Sequence, residues 1–308
     1  MKETIDAFEQ KTLPTGGASP IAMKLAINAT FNGWRFGMAA LLYWILIRAR
    51  PREFSAADVK GGAAVGLFFA AGMFAQIAGL RYTLPSISSF LTALVVVFAP
   101  FAQAFFFRRP VSGRTWAAVA VAVAGTVLLA QPSNATALVA VTEISRAPFP
   151  YMGEILTIVG ALFFTGQLLA LDHYGKSSDT SRLTLVMFSV TAAFSLLLGL
   201  ALGGAALYET QILQAVSSDR KIALGLLNLI VFSSVLALHL MNKYQPLISP
   251  AVASVIYCLE PLFATAFSVA LSAEALTAQT LGGGALILLA VLIVVTQQRA
   301  PNTQAAAG

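Results

Sequence analysis

Glu260 places a carboxylate near the middle of an apolar run, 250–272, and Pro261 follows it directly. An ionised carboxylate at the centre of a bilayer costs about 2.5–3.5 kcal/mol on the insertion scale, so it must face a cavity or a partner. Two chemistries fit that position: recognition of a substrate ammonium group, or proton exchange. The structural alternative is a hydrogen bond to a neighbouring helix, where the proline frees backbone groups. His239 lies in the run 222–241. It titrates near neutral pH when unperturbed and could relay protons, although a histidine that simply bridges helices is the plainer reading. Asn228, Ser233 and Ser234 share that run and suit interhelical hydrogen bonding in lipid. Gln76 and Gln167 are uncharged but costly to bury unpaired. Tyr257, one turn before Glu260, could stack on an aromatic substrate or only pack. Trp34 and Arg35 read as a gate or interface pair, an interfacial indole beside a snorkelling arginine. Pro100 and Pro261 bend the helices that hold them.

The elements that must position these residues are membrane helices. A spanning helix needs about 20 mostly apolar residues. The intervals 82–107, 115–142, 183–208, 222–242 and 275–298 contain no Asp, Glu, Lys or Arg. The 308-residue chain is 58% hydrophobic and 10% charged, against about 25% charged for a soluble domain; its mean hydropathy is +0.80. The expected fold is an all-α polytopic membrane protein with nine spans, near 31–48, 61–80, 86–107, 115–131, 152–171, 183–204, 222–241, 250–272 and 278–296. A barrel is excluded because short alternating segments are missing. Helix-packing glycines recur, as in Gly61-Gly62 and Gly282-Gly283-Gly284.

The net charge of +6 sits in the joints between runs, which argues for a membrane and against nucleic acid. With the C-terminus cytoplasmic, Arg48, Arg50, Arg52, Lys60, Arg108, Arg109, Arg114, Lys176, Arg182, Lys243 and Arg299 fall inside, and Arg81, Arg146, Arg220 and Lys221 outside. This bias sets the expected orientation. Cys258 is the single cysteine, so no disulfide or cysteine-based metal site can form within one chain. No nucleophile with a base, phosphate loop or metal-ligand spacing is present, so neither an enzyme nor a cofactor is expected. Asn28-Ala29-Thr30 and Asn134-Ala135-Thr136 match the glycosylation sequon, a pattern common by chance.

The runs repeat. Phe98-Ala99-Pro100-Phe101-Ala102 aligns with Leu259-Glu260-Pro261-Leu262-Phe263, and Pro85-Ser86-Ile87-Ser88-Ser89 with Ser249-Pro250-Ala251-Val252-Ala253-Ser254. The third span runs inward and the eighth outward, so the copies are inverted, the arrangement of secondary carriers with a midplane site. Phe31-Asn32-Gly33-Trp34-Arg35-Phe36, Gly79-Leu80-Arg81-Tyr82-Thr83, Cys258-Leu259-Glu260-Pro261-Leu262-Phe263-Ala264 and Ala273-Glu274-Ala275-Leu276-Thr277 keep the order and spacing of one family. On these motifs the chain resembles EamA-type members of the drug/metabolite transporter superfamily over about residues 21–297.

The resemblance implies ten helices, five per half, of which this chain lacks most of the first. The organisation expected is a polar segment 1–30 ending in a remnant of that helix, a first repeat 31–131, an extracytoplasmic linker 132–150, a second repeat 151–297 and a cytoplasmic tail 298–308. The resemblance further implies a secondary transporter in the plasma membrane, the inner membrane if the source is bacterial. Its partners would be lipid and a small-molecule substrate, with amino acids or related compounds the leading class, export the direction and protons a candidate coupling ion. Glu260, His239, Gln76, Gln167, Tyr257 and Asn228 would serve substrate or coupling, and Arg35 would help fix an outer gate. A non-transporting membrane scaffold and a truncated, inactive carrier are the alternatives.

Overall fold

The computed structural model describes residues 21–48, 53–83, 85–129, 151–203, 220–270 and 277–299. The expected linker 132–150, Asn134, Ala273–Leu276 and the tail beyond residue 299 lie outside them. Every regular element among the described residues is helical. Seven segments are long and apolar enough to cross a membrane: Ala56–Gly79, Ile87–Phe106, Met152–Tyr174, Thr180–Gly203, Arg220–Leu247, Pro250–Phe267 and Ala278–Thr296, with Gly113–Leu129 a shorter apolar helix. Helix α1, Ile21–Ile47, is 27 residues long. It begins ten residues before the expected first span, so Ile21–Ile27 forms the opening turns of the same helix. Lys24, Asn28, Thr30 and Asn32 disguise that start in the sequence, yet the last three are buried.

The chain divides into two compact units, Met1–Phe74 with Ala170–Leu247, and Ala75–Leu169 with Ile248–Gly308. Helices α2 (Ala56–Gly79) and α6 (Met152–Tyr174) contribute to both.

In the first unit, α1 lies antiparallel along α7 (Thr180–Gly203), with Gly33 against Leu196, Gly37 against Ala192 and Gly199 against Thr30. A Cβ at Gly33 would stand 2.6 Å from the Leu196 side chain; the missing side chain is what lets the helices approach. The start of α2 runs parallel to α7, where Gly66 meets the Met187 backbone and its carbonyl accepts the Thr191 hydroxyl at 3.2 Å. Phe36 meets Phe69 edge-on with centroids 5.5 Å apart, and Tyr43 meets Phe188 at 5.6 Å. The adjacent starts of α2 and α7 are tied by Asp58, 1% exposed. Ser55 and Asp58 cap each other's backbone N–H at 3.1 and 2.8 Å, and the second Asp58 oxygen accepts the Asp179 N–H at 2.7 Å. Arg182 adds a hydrogen bond to the Glu53 carbonyl and an ion pair at 3.6 Å.

In the second unit, α5 (Gly113–Leu129) and α12 (Ala278–Arg299) cross at Gly125 and Gly283. A Cβ on either glycine would stand 2.8 Å from the other's carbonyl oxygen. Two spans here are interrupted. Helix α3 (Pro85–Ala93) gives way at Leu94 to α4 (Val95–Phe106), and α10 (Pro250–Tyr257) gives way at Cys258 to α11 (Leu259–Ala270). Each starts on a proline and resumes as 12 residues. At each break a tightened turn forms: Leu94 N–H donates to Leu91 O and Cys258 N–H to Val255 O, both at 3.2 Å. Pro261 cannot donate to the Tyr257 carbonyl four residues earlier, which places that break. The Leu94 break comes six residues before Pro100, which lies inside α4. Helices α4 and α10 pack antiparallel, Gln103 Oε1 accepting the Ala251 N–H at 3.1 Å and Ala99 touching Ala253, as inverted copies require.

Gly125→Val is expected to destabilise the protein by about 1–3 kcal/mol through overpacking, read as a lower midpoint of thermal unfolding in detergent. Gly113→Ala, where an added Cβ meets nothing within 4 Å, should leave that midpoint unchanged.

Candidate functional site

The first unit holds a polar seam. Along α1, Asn28, Asn32, Phe36, Ala39 and Tyr43 recur at helical spacing and are all buried. Arg35 borders this stripe at 4% exposure. It does not snorkel, because the extension of α1 back to Ile21 places it mid-helix. Its Nε donates to Ser234 Oγ at 2.9 Å and its Nη2 to Ser233 Oγ at 3.0 Å, while the guanidinium carbon sits 4.8 Å from the Phe36 ring centre. Trp34, at the same mid-helix level, is 37% exposed.

The serines belong to an unusual element. Between α8 (Arg220–Asn228) and α9 (Ala237–Tyr244) the backbone forms an eight-residue π-helix, Leu229–Leu236. Runs of π-helix usually amount to a single turn and gather at functional sites. Its last bond runs from Ala237 N–H to Phe232 O. The adjacent serines thus both reach one guanidinium, with Ser234 buried and Ser233 partly so. Two turns along α1, the Tyr43 hydroxyl meets His239 Nδ1 at 2.6 Å. Asn242 donates to Thr184 Oγ1 at 3.0 Å. The oxygens Thr30 Oγ1, Asn32 Oδ1 and Asn242 Oδ1 are buried with no hydrogen bond among the described residues, an uncommon cost in a folded interior.

The second unit brings other expected residues into small local networks. Gln76 Nε2 donates to Thr92 Oγ1 at 2.9 Å, and Thr92 in turn donates to the Ser88 carbonyl. Gln167 is buried. Gln103 bonds across to α10. Glu260 occupies the first turn of α11 and is exposed. Its carboxylate there complements the positive end of the helix dipole. Tyr257 ends α10 on the other side of the Cys258 break, and Asn228 is exposed at the end of α8. Asn28 of the first sequon is buried inside α1, closed to modification.

Chain comparison supplies the family. The EamA-like transporter family model matches residues 16–131 and 151–296. The chain belongs to that family. It is a membrane transporter of the drug/metabolite transporter superfamily, integral to a lipid bilayer. An uncharacterized transporter of Archaeoglobus fulgidus is 28% identical over 287 residues, covering 91% of this chain and 81% of that one. A crystal structure superposes with a TM-score of 0.63 over 97% of this chain and 96% of the other; at 17% identity it speaks for the fold alone. This EamA transporter carries residues that spacing did not single out, Tyr43, Asp58 and Asn242, while Ser233 and Ser234 bridge helices as acceptors for Arg35. The signal for Tyr43 was present as the continuation of the stripe Asn28, Asn32, Phe36, Ala39.

Removing the acceptors should cost more than removing the cation. Ser233→Ala with Ser234→Ala deprives a buried guanidinium of two hydrogen bonds and should destabilise by about 2 kcal/mol or more. Arg35→Met in that double-mutant background is expected to restore part of the lost unfolding midpoint in detergent; a further fall would contradict the assignment.

Proposed function

We propose that this EamA transporter is a secondary carrier that exports amino acids or related zwitterions by alternating access. The observation that carries the reading is the pair of interrupted spans, α3–α4 and α10–α11, packed through α4 and α10 in opposite directions. Carriers place substrate and ion sites where spanning helices are broken, since half-helix termini and released backbone groups face the ligand there. Tyr257 and Glu260 flank the Cys258 break. A carboxylate at that point offers charge to a substrate ammonium group, and an aromatic ring offers a face to its side chain. Pro261 keeps α10 and α11 from closing into one helix, and Pro100 lies inside α4, so both spans can bend. Gln76 and Gln167 contribute uncharged polar groups, and coupling to protons falls to Glu260 or His239. The excess of Lys and Arg in alternate joints favours a cytoplasmic C-terminus.

Counterflow exchange in proteoliposomes, with the full chain and labelled amino acids, tests the reading. Saturable exchange is expected, and Glu260→Gln should reduce it roughly 10-fold or more, the loss of one charged contact. Glu260 is exposed, so that variant should fold as well as its parent. Undiminished flux in it would remove Glu260 from the mechanism, and no exchange of any amino acid would remove the substrate class.

A further inference from the structure

The Tyr43–His239 contact joins α1 to α9 at 2.6 Å between groups 196 residues apart. The rings are tilted by 45° with centroids 5.7 Å apart, and Phe188 braces Tyr43 from the other side at 80°. Thr184 lies one turn before Phe188 on the same side of α7, the ring that Tyr43 meets, and Ser181 one turn before that. Thr184 Oγ1 donates to the Thr180 carbonyl at 2.7 Å and accepts from Asn242 at 3.0 Å. That leaves it one lone pair to offer Tyr43. Asp179 is held by its own N–H bond to Asp58, and its Oδ1 accepts the N–H groups of Ser181 and Arg182. The charges around the pair are few. Lys243 lies one turn along α9, Asp179 and Arg182 come from α7 with Arg182 paired to Glu53, and from the end of α6 Asp172 is paired to Lys176 at 2.6 Å.

We propose that His239 and Tyr43 form a proton-binding pair, in which one proton taken up at His239 Nδ1 reverses the hydrogen bond between them. For its place in the transport cycle the pair rests on the carrier reading; its existence does not. In the neutral state the ring hydrogen sits on Nε2 and the Tyr43 hydroxyl donates to Nδ1. Uptake of a proton forms one N–H bond at Nδ1 and makes the ring an imidazolium. Nδ1–H then donates to the phenolic oxygen, and the phenol turns its own hydrogen toward Thr184 or Ser181. No other bond is made or broken, and release to the opposite side runs the same steps backward. A proton needs no cavity, so the pair can load inside a packed unit. The contact bridges α1 to the segment that carries the π-helix, so reversal changes the donor–acceptor balance between those two elements.

The chain contains two histidines, His173 and His239, which makes direct observation simple. Full-length protein in lipid nanodiscs, isotope-labelled at the histidine rings, gives two sets of ring resonances that His173→Gln assigns. The His239 signal is expected to titrate as one protonation over the range in which an imidazole changes charge. Tyr43→Phe keeps the ring against Phe188 and should lower the midpoint by about half a pH unit or more, because the bond from the charged ring is the stronger of the two. A His239 signal constant over that range, or a midpoint that Tyr43→Phe leaves unmoved or raises, overturns the pair. If Tyr43→Phe fails to fold, the nitrogen shifts of the parent protein decide. Nδ1 must change from an unprotonated acceptor to a protonated donor, and an Nδ1 that stays one kind throughout overturns the proposal. None of these readouts uses a substrate, so a failed exchange assay with a titrating His239 counts against the carrier reading alone. Where exchange is measured, His239→Gln should abolish its pH dependence; retained dependence would overturn the coupling role.

Discussion

Lipid gives two apolar helices no reason to leave it for each other, so contact between backbones has to supply what water-driven burial supplies elsewhere. Both units answer in the same way. Gly33, Gly37 and Gly199 bring α1 onto α7, Gly62 and Gly66 bring α2 onto α7, and Gly125 and Gly283 let α5 and α12 touch carbonyl to Cα. Everything polar in the interior depends on that approach. Arg35 reaches two serine hydroxyls, and Tyr43 reaches His239, because the helices that carry them are held by close neighbours on either side. In the second unit the same economy places Gln103 against a backbone N–H of α10.

The polar seam and the interrupted spans are different solutions to one problem. A backbone group without a partner in hydrocarbon is costly, so a helix that departs from regular geometry must be compensated nearby. At Leu94 and Cys258 the compensation is local, a tightened turn of i to i−3 bonds. In the π-helix the backbone bonds are remade over five residues, as from Ala237 N–H to Phe232 O, and Arg35 bonds the two serine hydroxyls that the element carries side by side. Buried acceptors at Thr30, Asn32 and Asn242 mark where compensation is incomplete.

Much of this was legible in the sequence. Long apolar runs marked seven segments able to cross a membrane among the described residues, against nine expected, and the order of motifs identified the family that residues 16–131 and 151–296 match. What was hidden has physical reasons. The first described helix takes in Ile21–Thr30, where Asn28 and Thr30, like Asn32 after them, turn inward, and polar residues that pack inside a bundle look like a joint when read in line. Arg35 beside Trp34 imitates an interfacial pair, and only the added turns before it make the position central. The π-helix left no mark in Leu229–Leu236, since its register is set by packing rather than by composition. Tyr43 and His239 meet through folds in the chain that no local spacing records. Glu260 was visible at once, but its place at the head of α11, exposed and favoured by the helix dipole, needed the break to be seen.

The two units are interleaved along the chain: the first needs residues up to Leu247, the second needs the stretch after it, and each encloses part of the other's sequence. During synthesis, therefore, α1 and the start of α2 enter the bilayer long before α7 arrives to cover Thr30. Asp58 waits about 120 residues for the amide it holds, the separation between it and Asp179. Neither unit can be finished by a half-made chain. Its early helices have to persist in the membrane as separate, partly polar rods, and the ribosome must deliver nearly the whole message before assembly can close.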